Sequence, residues 1–104
     1  MSRVKGTLTR VNTSTIVGRF GLDGQVLTFE ASISPSMPPF RSNDVTLTYA
    51  DVEELTSHCA YTGRVGTEKL SLQLANGPTM TGHLNEPGLP AAHSVTGNGS
   101  WLAT

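Results

Sequence analysis

The histidines and the cysteine are the residues of this chain whose types suit metal binding or nucleophilic chemistry. Cys59 is the single cysteine, His58 precedes it directly, and His83 and His93 lie farther along the chain. Structural zinc sites use close pairs of Cys or His on turns, and the sequence contains no such pair. On a strand, His58 and Cys59 point to opposite faces, so the histidine does not activate the thiol. We therefore expect no metal ion and no other cofactor.

Glu53 and Glu54 are the candidate pair of catalytic carboxylates. Acid–base hydrolysis requires two carboxylates at a controlled separation. Consecutive side chains on a helical turn diverge by about 100°, so this pair is typical of a solvated surface. The sequence also lacks a Gly-x-Ser-x-Gly elbow, a P-loop and a Gly-x-Gly-x-x-Gly motif. We predict that the protein is not an enzyme.

A proline-rich segment over residues 34–43 is the first candidate for a binding site. Its prolines stiffen the backbone, and it carries Met37, Phe40 and Arg41, residue types that are enriched at protein interfaces. We predict that these three residues contact a protein partner. The alternative is a rigid crossover in which Phe40 packs into the core.

Alternation of apolar and polar residues is the strongest pattern that positions these side chains. It predicts strands at residues 3–12, 15–20, 25–33, 44–49, 59–65, 69–74 and 79–84. Asp23-Gly24 is typical of a tight hairpin turn, and the Asp51 to Glu54 spacing predicts a short helix over residues 51–57. The chain is thus expected to be all-β: a small antiparallel barrel or a two-layer sandwich of about seven to eight short strands with at most one short helix.

Glycines at inward positions of these strands favour the barrel, because strands that coil sharply need them where backbones approach closely (Gly6, Gly18, Gly63 and Gly82). We expect one domain over residues 1–104, with residues 85–104 as a loop-rich C-terminal segment. Trp101 in that segment is expected to pack on a barrel end or a sheet face.

The first half of the chain resembles the cold-shock and related OB-fold barrels in the order and spacing of its strands. The resemblance lies in Lys5-Gly6-Thr7-Leu8, Val17-Gly18-Arg19-Phe20-Gly21, Val26-Leu27-Thr28-Phe29 and Asp44-Val45-Thr46-Leu47. It implies binding of single-stranded nucleic acid on a face that carries Arg10, Arg19, Phe20 and Phe29.

A second resemblance is to PilZ domains, small barrels that bind a cyclic dinucleotide. Asn12-Thr13-Ser14, followed by Gly18 and preceded by Arg3 and Arg10, is similar to the binding motifs of that family, with one residue more before the glycine. It implies nucleotide binding on the barrel surface, where arginine side chains contact the phosphates.

Composition limits the partners. The 104 residues carry a net charge of −1 and 14% charged residues, which gives no general attraction to nucleic acid or to an anionic membrane. A single cysteine indicates a reducing compartment, and the N-terminal residues lack the apolar stretch of a secretory signal. We therefore expect a cytoplasmic protein without a membrane partner.

These patterns together predict a non-catalytic binding or regulatory module that engages a protein partner or a second copy of itself through an exposed strand edge. Nucleic-acid or cyclic-dinucleotide binding on the barrel face is the alternative. Capture of a small ligand inside the barrel is a third hypothesis.

Overall fold

A computed structural model gives the fold and describes residues 2–22, 24–34, 36–56, 58–85 and 89–103. In these ranges, eight antiparallel strands form one closed barrel. They are β1 (Ser2–Asn12), β2 (Thr15–Leu22), β3 (Gln25–Ser32), β4 (Arg41–Tyr49), β5 (His58–Val65), β6 (Lys69–Leu74), β7 (Thr79–His83) and β8 (His93–Ala103). The predicted antiparallel barrel is confirmed. The sandwich alternative is wrong, because hydrogen bonding runs through all eight strands and returns to the first.

The strand order around the barrel is β1-β2-β3-β8-β5-β6-β7-β4. The chain forms one meander with β1 to β3 and a second with β5 to β7, and β4 joins them by pairing with both β1 and β7. The last strand, β8, closes the other side between β3 and β5. As a result β1, β4, β7, β6 and β5 are consecutive neighbours and present one continuous outer surface.

The interior is filled by the apolar residues of the alternating pattern. Leu8, Phe29, Val45, Leu47 and Met80 are fully buried, and their polar sequence neighbours face outward. The Tyr61 hydroxyl donates a hydrogen bond of 2.6 Å to the Ser32 carbonyl, and burial raises the pKa of this phenol above its ordinary value. The barrel interior is therefore a packed core.

Glycines allow the backbones of neighbouring strands to approach closely, and Gly82 and Gly63 are two examples. A Cβ atom on Gly82 of β7 would lie 2.3 Å from the Asp44 carbonyl oxygen of β4, and one on Gly63 of β5 would lie 2.2 Å from the Ser71 carbonyl oxygen of β6. These inward positions thus have no room for a side chain.

The segment between β4 and β5 forms a short 3₁₀ helix, Val52–Leu55, where the sequence predicted about two helical turns. The capping box is present: Asp51 Oδ1 accepts from the Glu53 amide at 3.0 Å, and Glu54 Oε1 accepts from the Asp51 amide at 3.2 Å. Ser57, at the end of the predicted helix, lies outside the described residues.

The C-terminal segment differs from its prediction. Residues 93–103, expected to be loop-rich, form the eleven-residue strand β8. Glycine has a low strand propensity, so the sequence of this segment alone does not favour a strand. The segment is a strand because it pairs with β3 on one side and with β5 on the other. Trp101 of this strand is 6% exposed and packs in the core, with its ring centroid 4.8 Å from that of Phe29.

Parts of three segments that were named from the sequence lie outside the described residues: Asp23 of the hairpin turn, Pro35 of the proline-rich segment and residues 86–88 of the C-terminal segment. Gly24, which follows Asp23, has a φ of 77°, a left-handed conformation that glycine adopts without strain. No helix among the described residues has the length and apolar character needed to cross a membrane.

Candidate functional site

The predicted contact residues of the proline-rich loop do not form a surface. Met37 is 2% exposed and Phe40 is 7% exposed, so both side chains belong to the core, and Arg41 alone is exposed. The Met37 amide donates to the Thr13 carbonyl at 2.9 Å, which holds the loop against the chain between β1 and β2. The apolar residues are buried because this loop packs its own side chains onto the barrel, as the rigid-crossover alternative expected.

The predicted nucleic-acid face is also not assembled. Phe20 and Phe29 are 1% and 0% exposed and pack with Trp101 inside the barrel. Arg19 is exposed on the outer surface, whereas Arg10 pairs with buried Ile16 on the inward row of β1, and its Nε atom is buried without a hydrogen-bond partner among the described residues. The two arginines therefore lie on opposite faces of the sheet.

The histidines and the cysteine are dispersed over the barrel. His58 Nδ1 lies 2.7 Å from Ser100 Oγ on the outer surface, and Cys59 is buried with Sγ 3.1 Å from Asn76 Oδ1. Within the part of the chain that the structure describes, no three His, Cys, Asp or Glu side chains come together as a metal site.

A concave region on the outer surface is the candidate site, and we call it the hydroxyl trough. It consists of two adjoining basins with volumes of about 580 and 610 Å³, which share Lys5, Thr46 and Thr81. The first basin is also lined by Asp44, Arg64, Lys69, Ser71 and His83, and the second by Arg3, Thr48 and Thr79.

The strand register builds the trough in rows that cross the barrel surface. One row runs through Lys5, Thr46, Thr81, Ser71 and Arg64 on β1, β4, β7, β6 and β5. The next row, two residues along each strand, runs through Arg3, Thr48, Thr79, Gln73 and Thr62. Hydroxyl groups thus form the floor, and basic residues stand on both sides.

A third, shorter row at the end of the trough contains Asp44, His83 and Lys69. The Lys5 ammonium donates to Asp44 Oδ1 at 3.0 Å, and His83 Nδ1 lies 3.9 Å from Asp44 Oδ2. The hydrogen bond and the charge of Lys5, with a smaller contribution from His83, hold the pKa of the Asp44 carboxyl below its ordinary value. Asp44 is therefore an ionised acceptor inside a basic cluster.

Three of the basic residues of the trough have no counter-ion within the part of the chain that the structure describes. Arg3, Arg64 and Lys69 are exposed, and none of them forms an ion pair with a carboxylate of the described residues. The hydroxyls of Thr46, Thr81 and Ser71 likewise make no hydrogen bond to another described residue. The trough thus offers positive charge and hydroxyl groups that no other described residue uses.

Sequence reasoning missed this site, although one signal for it was present. Alternation placed Lys5, Thr46, Arg64, Lys69 and Thr81 outward on their strands. It did not show that β1, β4, β7, β6 and β5 are neighbours, since β4 pairs with strands that are distant in sequence.

Comparison of the chain with known protein families, with curated proteins and with solved structures found no match. The function is therefore inferred from the contacts and charges of this chain. The trough combines a concave shape with charged and hydrogen-bonding groups that have no partner among the described residues.

Proposed function

We propose that the protein is a non-catalytic interaction module that binds an acidic segment of a protein partner in the hydroxyl trough. The observation that carries this proposal is a set of three exposed cations, Arg3, Arg64 and Lys69, around a floor of hydroxyls. None of these cations pairs with a carboxylate of the described residues. Carboxylates of a partner would supply the missing anions. Charge complementarity of this kind mainly supplies specificity and a fast association rate.

A protein segment fits the trough better than a nucleic acid. All six aromatic side chains of the chain are buried (Phe20, Phe29, Phe40, Tyr49, Tyr61 and Trp101). Single-stranded nucleic acid is held largely by stacking of its bases on exposed rings, and among the described residues that line the trough the imidazole of His83 is the one ring. A net charge of −1 supplies no further attraction for a polyanion.

The proposal includes a cytoplasmic location. Its support is the state of Cys59, a free and buried thiol without a second cysteine in the chain to pair with. A small domain that is stabilised by a packed barrel core alone is typical of reducing compartments.

Charge reversal tests the proposed function. We expect that the double variant Arg64→Glu/Lys69→Glu binds a fluorescent glutamate-rich peptide at least about tenfold more weakly than the native chain at low salt, because two attractive charges become repulsive. Fluorescence anisotropy measures the affinity. The native affinity should fall as salt is added, since exposed charges are screened.

The matched control is Arg19→Glu/Arg41→Glu, which changes the net charge by the same amount at two exposed arginines outside the trough. Equal weakening by both double variants would show that only total charge matters, and the trough would not be the site. A single-stranded oligonucleotide serves as a second probe. Tighter binding of the oligonucleotide than of the peptide would favour the nucleic-acid alternative.

A further inference from the structure

The spacing of groups in the hydroxyl trough contains information about the shape of the partner segment. We infer that the trough binds an extended peptide that runs parallel to β4 and carries acidic side chains at alternate positions. This inference rests on the proposed function, because it assumes that the trough binds an acidic segment. It adds the backbone conformation and the sequence pattern of that segment.

The sides of the trough carry basic residues at a regular spacing. Arg3 and Lys5 are two residues apart on β1, so they are separated by about 6.6 Å along the strand. On the opposite side, Arg64 of β5 faces Ser71, and Lys69 is the diagonal neighbour two residues away on β6, at a Cα separation of about 7–8 Å. The side that carries Arg64 and Lys69 therefore presents basic residues at nearly the repeat of an extended chain, whose alternate side chains also lie about 6.6 Å apart on one side. Acidic residues at alternate positions all face the same side of the trough, and they would contact Arg64 and Lys69, because Lys5 on the opposite side is bound to Asp44.

The floor of the trough has the spacing of an extended peptide backbone. Thr46 and Thr81 form one cross-strand pair and Thr48 and Thr79 form the next, two residues farther along β4 and β7. When an extended peptide directs its side chains toward the two sides, its amide and carbonyl groups point toward the floor and toward solvent. The groups that point toward the floor recur every two residues, at the same spacing as the threonine pairs.

A helical segment suits the trough less well than an extended one. The amide and carbonyl groups in the body of an α-helix are already hydrogen-bonded to each other, so they would leave the threonine hydroxyls without partners. A helix would use only the charges of the trough. An extended peptide uses the charges and the hydroxyls together.

Two synthetic peptides of equal length and equal glutamate number test this inference. One alternates glutamate with threonine and favours an extended chain. The other also has glutamate at half of its positions, arranged as Glu-Glu-Ala-Ala repeats, and favours a helix. We expect the native chain to bind the alternating peptide about tenfold more tightly, measured by fluorescence anisotropy with both peptides labelled at the same end.

The protein side of the test is the double variant Thr46→Val/Thr81→Val, which removes two hydroxyls and keeps β-branched side chains of similar shape. We expect this variant to bind the alternating peptide about tenfold more weakly with an unchanged salt dependence, since each hydrogen bond contributes a factor of roughly 2 to 10. Binding of the helical peptide should not change. Thr9→Val/Thr28→Val is the matched control, because both of these threonines lie on strands but outside the trough, and circular dichroism checks that each variant folds.

The outcomes separate the inference from the proposed function. Equal affinity for the two peptides, together with unchanged binding by Thr46→Val/Thr81→Val, would overturn the extended-segment inference and leave the charge-based function standing. Absence of binding to either peptide at low salt would overturn both. Preference for the alternating peptide that disappears in the threonine variant would support the inference.

Discussion

Asp44 is the residue that limits the positive charge of the hydroxyl trough from within. Its carboxylate forms an ion pair with the Lys5 ammonium at 3.0 Å, so this ammonium is less available to a carboxylate of the partner. We expect Asp44→Asn to bind the glutamate-rich peptide about three- to tenfold more tightly, because one repulsive charge is removed and Lys5 is released. Glu30→Gln is the control, since Glu30 is an exposed carboxylate of β3 outside the trough. The same gain in both variants would contradict a specific role for Asp44.

The same carboxylate gives the stability of the barrel a dependence on acidic pH. The folded-state pKa of Asp44 lies below the ordinary value of 3.8, because Lys5 binds the ionised form. The Lys5 contact therefore contributes stability above that ordinary pKa, and the contribution is lost as the pH falls through the folded-state pKa. We expect the melting temperature of Asp44→Asn to fall less between neutral pH and about pH 3 than that of the native chain. Thermal unfolding of both proteins at the two pH values measures this. An identical loss in the two proteins would contradict this assignment.

At the scale of the strands, the hydroxyl trough depends on the close backbone contact between β4 and β7, which lies beneath its floor. A Cβ atom at position 82 would lie 2.3 Å from the Asp44 carbonyl oxygen, so an alanine there forces the two strands apart. We expect Gly82→Ala to lower the free energy of unfolding by about 1–3 kcal/mol in urea titrations. Because both strands carry the threonine floor, peptide binding should weaken as well.

Gly21→Ala is the matched control for that element. Gly21 lies on β2, and a Cβ atom there would meet no heavy atom within 4 Å. The free energy of unfolding of Gly21→Ala should stay within about 0.5 kcal/mol of the native value, as is usual for surface substitutions. A Gly82→Ala variant as stable as Gly21→Ala would show that the two strands do not approach as closely as the structure indicates.

Strands within each meander were predictable from the sequence, whereas the joins between meanders were not. Alternation identified β2, β3, β5, β6 and β7 nearly to their ends, since each turns back on its neighbour through a short connection. It missed β8, because Gly97 and Gly99 interrupt the apolar pattern and long-range pairing with β3 and β5 decides the conformation. The trough was missed for the same reason: its rows depend on the pairing of β4 with β1 and β7.

In loop 34–43, the sequence predicted an exposed contact surface for side chains that are buried in the core. Met37 and Phe40 suit an interface and suit a core equally well, because burial of apolar area stabilises both. The deciding contact is the hydrogen bond from the Met37 amide to the Thr13 carbonyl, between segments that are more than twenty residues apart in sequence. Local pattern contains no information about such a contact.

At the scale of the whole molecule, closure of the barrel removes the route to self-association that an exposed strand edge would provide. Every strand of the described barrel pairs with two neighbours, and closed barrels leave no edge for a further strand. A second copy would then have to bind through charge, with the acidic 3₁₀ segment that contains Asp51, Glu53 and Glu54 placed in the trough of its neighbour.

We expect that this charge-based pairing does not occur and that the chain is a monomer. The Asp51 and Glu54 carboxylates already accept backbone amide hydrogen bonds of their own capping box, which fixes them in a compact turn rather than an extended segment. Size-exclusion chromatography with light scattering should give the mass of one 11.0 kDa chain at both low and physiological salt. A mass that rises at low salt in the native chain but not in Arg64→Glu/Lys69→Glu would contradict this expectation, because it would show that the trough takes the acidic end of a second copy.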